Sequence, residues 1–173
     1  MPYESENLDR IFEEIQGAND RAAIIVGAAL VEDALEQCIA SRLRDPANKE
    51  ERRYLFGEEG CFGTFALKIC GAYFLRLIGP ETKRDLDLVR RIRNKAAHEM
   101  TPISFEGTPA IASLCRELEF AKRSIPGQAS PVDLRGKFLL TVQFFSSAMF
   151  LRAADSYPEI REAGAGVASY LDH

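Results

Sequence analysis

One run near the middle of the chain, Arg93-Asn94-Lys95-Ala96-Ala97-His98, gathers residue types that could grip an anion and move a proton. A guanidinium presents a fork of N–H donors that matches phosphate and carboxylate geometry. An imidazole changes charge near neutral pH. His98 is the one histidine besides His173. Cleaving RNA without a metal takes a base, an acid and a cation beside the phosphorane. A single chain would bring only half of that set, so a symmetric dimer would have to contribute the second His98. The plainer alternative is that His98 satisfies a helix end, where the helix dipole favours a cation.

The element that must position this run is a helix. At roughly 100° per residue, Leu86, Val89, Ile92 and Ala96 share one face, and Arg93 falls inside that arc. A guanidinium turned inward is costly unless paired, so Arg93 needs a carboxylate, a partner subunit or an anionic ligand. Glu32 and Asp33, on the long helix before it, are the acidic candidates. Arg90, Asn94 and His98 recur every fourth residue and line one edge of the helix. The binding set expected from sequence is therefore Arg90, Arg93, Asn94 and His98 with Glu32 and Asp33, and in a nuclease Arg93, His98 and Asn94 would be catalytic.

Other signals are weaker. Lys83, Arg84, Arg91 and Lys95 could touch nucleic acid, but a run of this size reads as a solvated helix face. The Gly57–Gly63 stretch lacks the lysine and spacing of a phosphate-binding loop. Cys61 has no evident base beside it, and the scattered Cys38, Cys61, Cys70 and Cys115 lack the paired short spacing of a zinc or redox site, so they read as reduced and mostly buried. No metal or cofactor is expected.

With 173 residues, 46% hydrophobic and 28% charged, the chain is expected to form one domain over 1–173. A net charge of −4 offers nucleic acid no general attraction, since phosphate neutralisation dominates such binding. The bases Lys83, Arg84, Arg90, Arg91, Arg93 and Lys95 outnumber the acids only locally. The acidic opening MPYESENLDR lacks the flank and apolar core of a signal peptide. No apolar stretch suffices for a membrane span, and a cytoplasmic location is expected.

Hydrophobic spacing predicts an all-α bundle of about six to seven helices. The first covers Glu6–Gln16, and the second runs from Arg21 to about Leu43 with Asp20 as its cap and Ala and Gly residues that imply close packing. The polar stretch Asp45–Arg53 and the glycines after Leu55-Phe56-Gly57 read as loop. Thr64 caps a helix reaching about Leu77, Pro80 opens one reaching about Glu99, and another spans Pro109–Lys122. After a loop at Ser124–Pro131, the helix Asp133–Asp155 is apolar nearly all round and must be enclosed, as core or as a subunit interface. The tail Pro158–His173 is at best a weak helix.

The run Arg21-Ala22-Ala23 through Leu30-Val31-Glu32-Asp33-Ala34-Leu35-Glu36 resembles the mannitol operon repressor (MltR) family. So do Leu55-Phe56-Gly57, Gly63-Thr64-Phe65-Ala66-Leu67-Lys68-Ile69, the run Asp85-Leu86-Asp87-Leu88-Val89-Arg90-Arg91-Ile92-Arg93-Asn94-Lys95-Ala96-Ala97-His98, Ser104-Phe105 and Leu114-Cys115-Arg116-Glu117-Leu118. The matches span about residues 20–118. The resemblance implies an all-helical, homodimeric bacterial regulator of transcription. No helix-turn-helix with a basic recognition helix is evident, which favours regulation through a protein partner over direct operator binding. Arg93-Asn94 followed by His98 is also similar to the Arg-(four to six residues)-His motif of HEPN domains, which implies an endoribonuclease as the rival. A repressor binding DNA directly through the fourth helix is the third alternative, and the residues leave catalysis open.

Overall fold

The computed structural model describes residues 5–43, 48–122 and 133–154. Those residues form seven α-helices and one 3-10 turn and contain no strand, the all-α architecture expected from the spacing. The helices are α1 (Ser5–Gly17), α2 (Asp20–Ala40), α3 (Lys49–Phe56), α4 (Phe65–Phe74), α5 (Pro80–His98), α6 (Pro109–Glu117) and α7 (Leu134–Ala154), with the 3-10 turn at Phe120–Lys122 after α6. The Ser124–Pro131 loop and the tail lie outside the described residues. None of the described helices is long and apolar enough to cross a membrane.

The described residues within Met1–Val31 and Arg84–Phe145 form one compact unit and those within Glu32–Lys83 and Ser146–His173 another, so the boundaries fall within α2, α5 and α7. In the first unit, Gly27 of α2 lets α7 approach: a Cβ there would lie 3.3 Å from Val142 and 3.4 Å from Phe138. This is the close packing that the small residues of α2 implied. Phe105 packs on Phe138 with ring centroids 5.4 Å apart, and Phe120 stacks on Phe144 at 4.1 Å. No residue of α7 is fully exposed: Phe138, Val142, Phe145 and Met149 are buried, while Leu139, Leu140, Phe144 and Leu151 are half-buried, so the expected enclosure of this helix is met in part.

An arginine closes a helix end in this unit. Arg135 donates to the carbonyls of Ile15 (3.3 Å), Gln16 (3.0 Å) and Ala18 (2.7 Å) and pairs with Asp20, which seals the end of α1. Asp20 is therefore not the cap of α2. Asn19 takes that position and accepts from the amide of Ala22 at 3.0 Å, while Asp20 also accepts from the amide of Phe105 at 3.0 Å. The helix expected over Pro109–Lys122 stops at Glu117. Buried Asp85 accepts from the amides of Glu119 (3.2 Å) and Phe120 (2.7 Å), which diverts the chain into the 3-10 turn.

In the second unit, Asn48 accepts from the amide of Glu51 at 2.9 Å and starts α3 within a stretch read as loop. The signal was in the sequence: Asn48 followed three residues later by Glu51 is the pattern of a helix start. No residue of α3 is buried, so hydrophobic spacing could not show it. Phe62, in the glycine turn that follows, lies so close to α4 that a Cβ on Gly71 would meet its ring at 2.4 Å. Thr64 caps α4 as expected, accepting from the amide of Leu67 at 3.2 Å.

Candidate functional site

The sequence-predicted residues of α5 lie on its last three turns. Ile92 and Ala96 are fully buried, as are Leu86 and Val89 one or two turns earlier, so the predicted inward face is correct. Arg93, at the margin of that face, is half-buried and donates to Oδ1 of Asn94 at 3.1 Å. No carboxylate among the described residues lies within ion-pair distance of it. Arg90, by contrast, pairs with Asp87 at 3.3 Å. His98 is the last residue of the helix and is exposed, as is Ala97.

The task of closing α5 falls to Arg21 of α2, not to His98. Its guanidinium donates to the carbonyls of Ala96 (2.5 Å), Glu99 (2.7 Å) and Thr101 (2.6 Å). The Ala96 carbonyl belongs to the last turn of α5, where carbonyls lack partners within the helix, and those of Glu99 and Thr101 follow just beyond its end, where a fixed cation suits the helix dipole. His98 is thereby left free for other contacts. Met100, two residues on, is 94% exposed.

The acidic candidates Glu32 and Asp33 belong to the other unit, where their neighbours make a charge cluster. Lys68 of α4 is 6% exposed, and its Nζ lies 3.1 Å from a carboxylate oxygen of both Glu32 and Glu36. Burial alone would lower the Lys68 pKa, but hydrogen bonds and charge from the two glutamates outweigh it and hold the ammonium on. Arg52 of α3 pairs with Glu36 at 3.0 Å. Asp33 accepts from Gln37 at 3.0 Å, and its pKa is raised, first by burial and then by Glu36. Sequence reading missed Lys68 as a site residue because nothing in a helical wheel distinguishes a lysine that snorkels outward from one that meets two carboxylates.

Lys68, with Phe65, Ile69 and Ala72, faces inward, so α4 turns its other side to solvent. There Leu67 (45% exposed), Cys70 and Phe74 (79%) follow at helical spacing, and Leu75 (41%) extends the strip. Most surface apolar residues need no explanation when scattered, but a row on one helix face does. Beyond it the chain turns sharply. The amide of Leu77 donates to the carbonyl of Ala72 at 2.8 Å and that of Arg76 to Tyr73 at 3.0 Å, the pattern of a helix ended by a left-handed residue. That residue is Arg76, with φ 58°, where glycine would be free of strain. The left-handed turn costs roughly 1 kcal/mol in a residue with a Cβ, and it ends α4 short of the expected Leu77. Tyr73, Phe74, Arg76, Ile78, Gly79 and Pro80 line a groove of about 540 Å³.

No known family model and no curated protein matches this sequence. Among solved structures, a chain in the X-ray structure of the MtlR–HPr complex from Escherichia coli matches with a TM-score of 0.65 and 17% identity, over 82% of this chain and 97% of that one. The two chains share a fold. Neither the α5 segment nor the Lys68 cluster contains a group of histidine, cysteine and acidic residues placed to hold a metal, among the described residues. The cysteine reading holds for two of four: Cys38 and Cys115 are buried, whereas Cys61 and Cys70 are exposed.

Proposed function

We propose that this protein is a non-catalytic regulator that acts by binding another protein, as a homodimer in the manner of the mannitol operon repressor family. The observation that carries this reading is the shared fold, which extends over nearly the whole of a chain solved in a complex of MtlR with HPr. Its support within this chain is the apolar strip on α4, since contiguous apolar surface marks sites of protein contact. The net charge of −4 also favours a route through a protein over direct DNA binding. The partner to try first is HPr from the same cell. Calorimetric titration of the purified full chain with HPr should give saturable binding, and deletion of the gene should change the levels of specific transcripts. Absence of HPr binding, no specific partner in pull-down and unchanged transcripts would together sink the proposal.

A second reading rests on Arg93, a half-buried cation without a carboxylate, on the same helix end as exposed His98. These groups suit an RNA phosphate, with His98 as proton carrier. Incubating cellular RNA with the protein and with H98A decides it, because equal cleavage, or none, by both removes His98 from any such mechanism.

A further inference from the structure

The outer face of α4 ends in a feature that its own fold does not require. A helix can stop at a left-handed residue at no strain if that residue is glycine, yet here it is arginine. Arg76 is exposed, forms no ion pair among the described residues, and lines the groove beside Phe74. Backbone strain kept in place of a freely available alternative points to use of the side chain. The left-handed turn brings a cation that has no ion pair among the described residues next to Phe74, the most exposed aromatic ring among them. Phe74 and Tyr73 meet edge to face, with centroids 5.7 Å apart, so the ring at the lip of the groove is braced by its neighbour.

We infer that the strip Leu67–Phe74–Leu75, bounded by Arg76, is the surface on which a protein partner docks, and that the partner presents an apolar side chain adjoining a carboxylate. This inference rests on the reading of the protein as one that works by protein contact and specifies where that contact is made. The apolar side chain enters the groove against Phe74, and the carboxylate meets the Arg76 guanidinium. Aromatic and arginine side chains are both enriched at protein interfaces, and a few such residues carry most of the binding energy there. The anchoring of α4 by Lys68 on its inward side keeps this face rigid and so lowers the ordering cost of docking.

The test uses the full chain and two blocked peptides, each with a leucine–phenylalanine pair, flanked in one by aspartates and in its twin by lysines. Amide shifts in NMR titrations should be confined to residues 67–80 with the aspartate peptide, and the lysine twin should bind roughly tenfold more weakly or not at all. F74S should weaken the aspartate peptide by roughly tenfold. R76E should abolish the preference between the peptides. R76G should bind weakly while unfolding at a higher temperature than the wild type, because it relieves the strain and loses the cation. Equal binding of the two peptides, or shifts away from 67–80, overturns the inference. A parallel titration with HPr separates the two levels. If HPr binds the wild type, F74S and R76E alike, the docking face is wrong and protein contact stands. If the aspartate peptide binds as described and HPr does not, the face stands and the choice of HPr falls.

Discussion

Lys68→Met tests whether the cluster at the base of α4 is what holds that helix in place. The substitution keeps the buried stem and removes only the ammonium. At 3.1 Å from each glutamate, the attraction is about 5 kcal/mol per pair for an effective dielectric near 20. Most of this is offset by the cost of dehydrating a lysine that is 6% exposed and two carboxylates that are about one-fifth exposed. Removing the cation leaves Glu32 and Glu36 one turn apart on α2, with Asp33 beside them and Arg52 still paired with Glu36. The net loss should be about 3 kcal/mol, near the low end for breaking a buried pair, because the glutamates can partly rehydrate. With a slope of about 2 kcal/mol per molar urea, the unfolding midpoint should fall by about 1.5 M. Adding E32Q and E36Q should restore most of the loss. A loss under about 1 kcal/mol, or a triple variant no better than the single one, would refute the account.

Three further outcomes follow from the geometry. Arg21→Ala should cost about 1–2 kcal/mol and speed amide exchange over residues 97–101, since three carbonyls at the end of α5 lose their donor; unchanged exchange there would mean that solvent serves as well. Burial raises the Asp85 pKa above its usual 3.8 despite two backbone donors, so the folded state holds that proton more tightly than the unfolded one. Its contribution is then fully present below 3.8 and is lost as pH rises through the folded value; the stability difference between wild type and D85N should shrink over that rise, and a difference that grows would reverse the sign. Burial pushes the Cys38 and Cys115 thiols up to about 11 and about 12, so iodoacetamide at pH 8 should modify exposed Cys61 and Cys70 first, as peptide mass mapping would show; early labelling of Cys115 would contradict its burial.

Periodicity of side chains determined the helices that bury a face. Leu86, Val89, Ile92 and Ala96 mark the inner side of α5, and Phe138, Val142, Phe145 and Met149 mark α7, because burial of apolar area follows the helical repeat and can be read along the chain. Local stop and start chemistry was legible too: Thr64 caps α4 and Pro80 opens α5. The run at Arg93 and His98 could be placed on a helix edge, but not its surroundings. Those depend on residues far away in sequence. Arg21 closes α5 from 75 positions upstream, Asp85 cuts α6 short from 34 residues away, and Lys68 finds Glu32 from 36. Such long-range pairs leave no periodic trace, because a lysine, aspartate or arginine has the same local preference whether its charge meets water or a distant partner. Only the tertiary structure decided that α4 keeps Lys68 inside and leaves Phe74, with Arg76 just beyond the helix, exposed, because that choice depends on where the distant Glu32 and Glu36 lie.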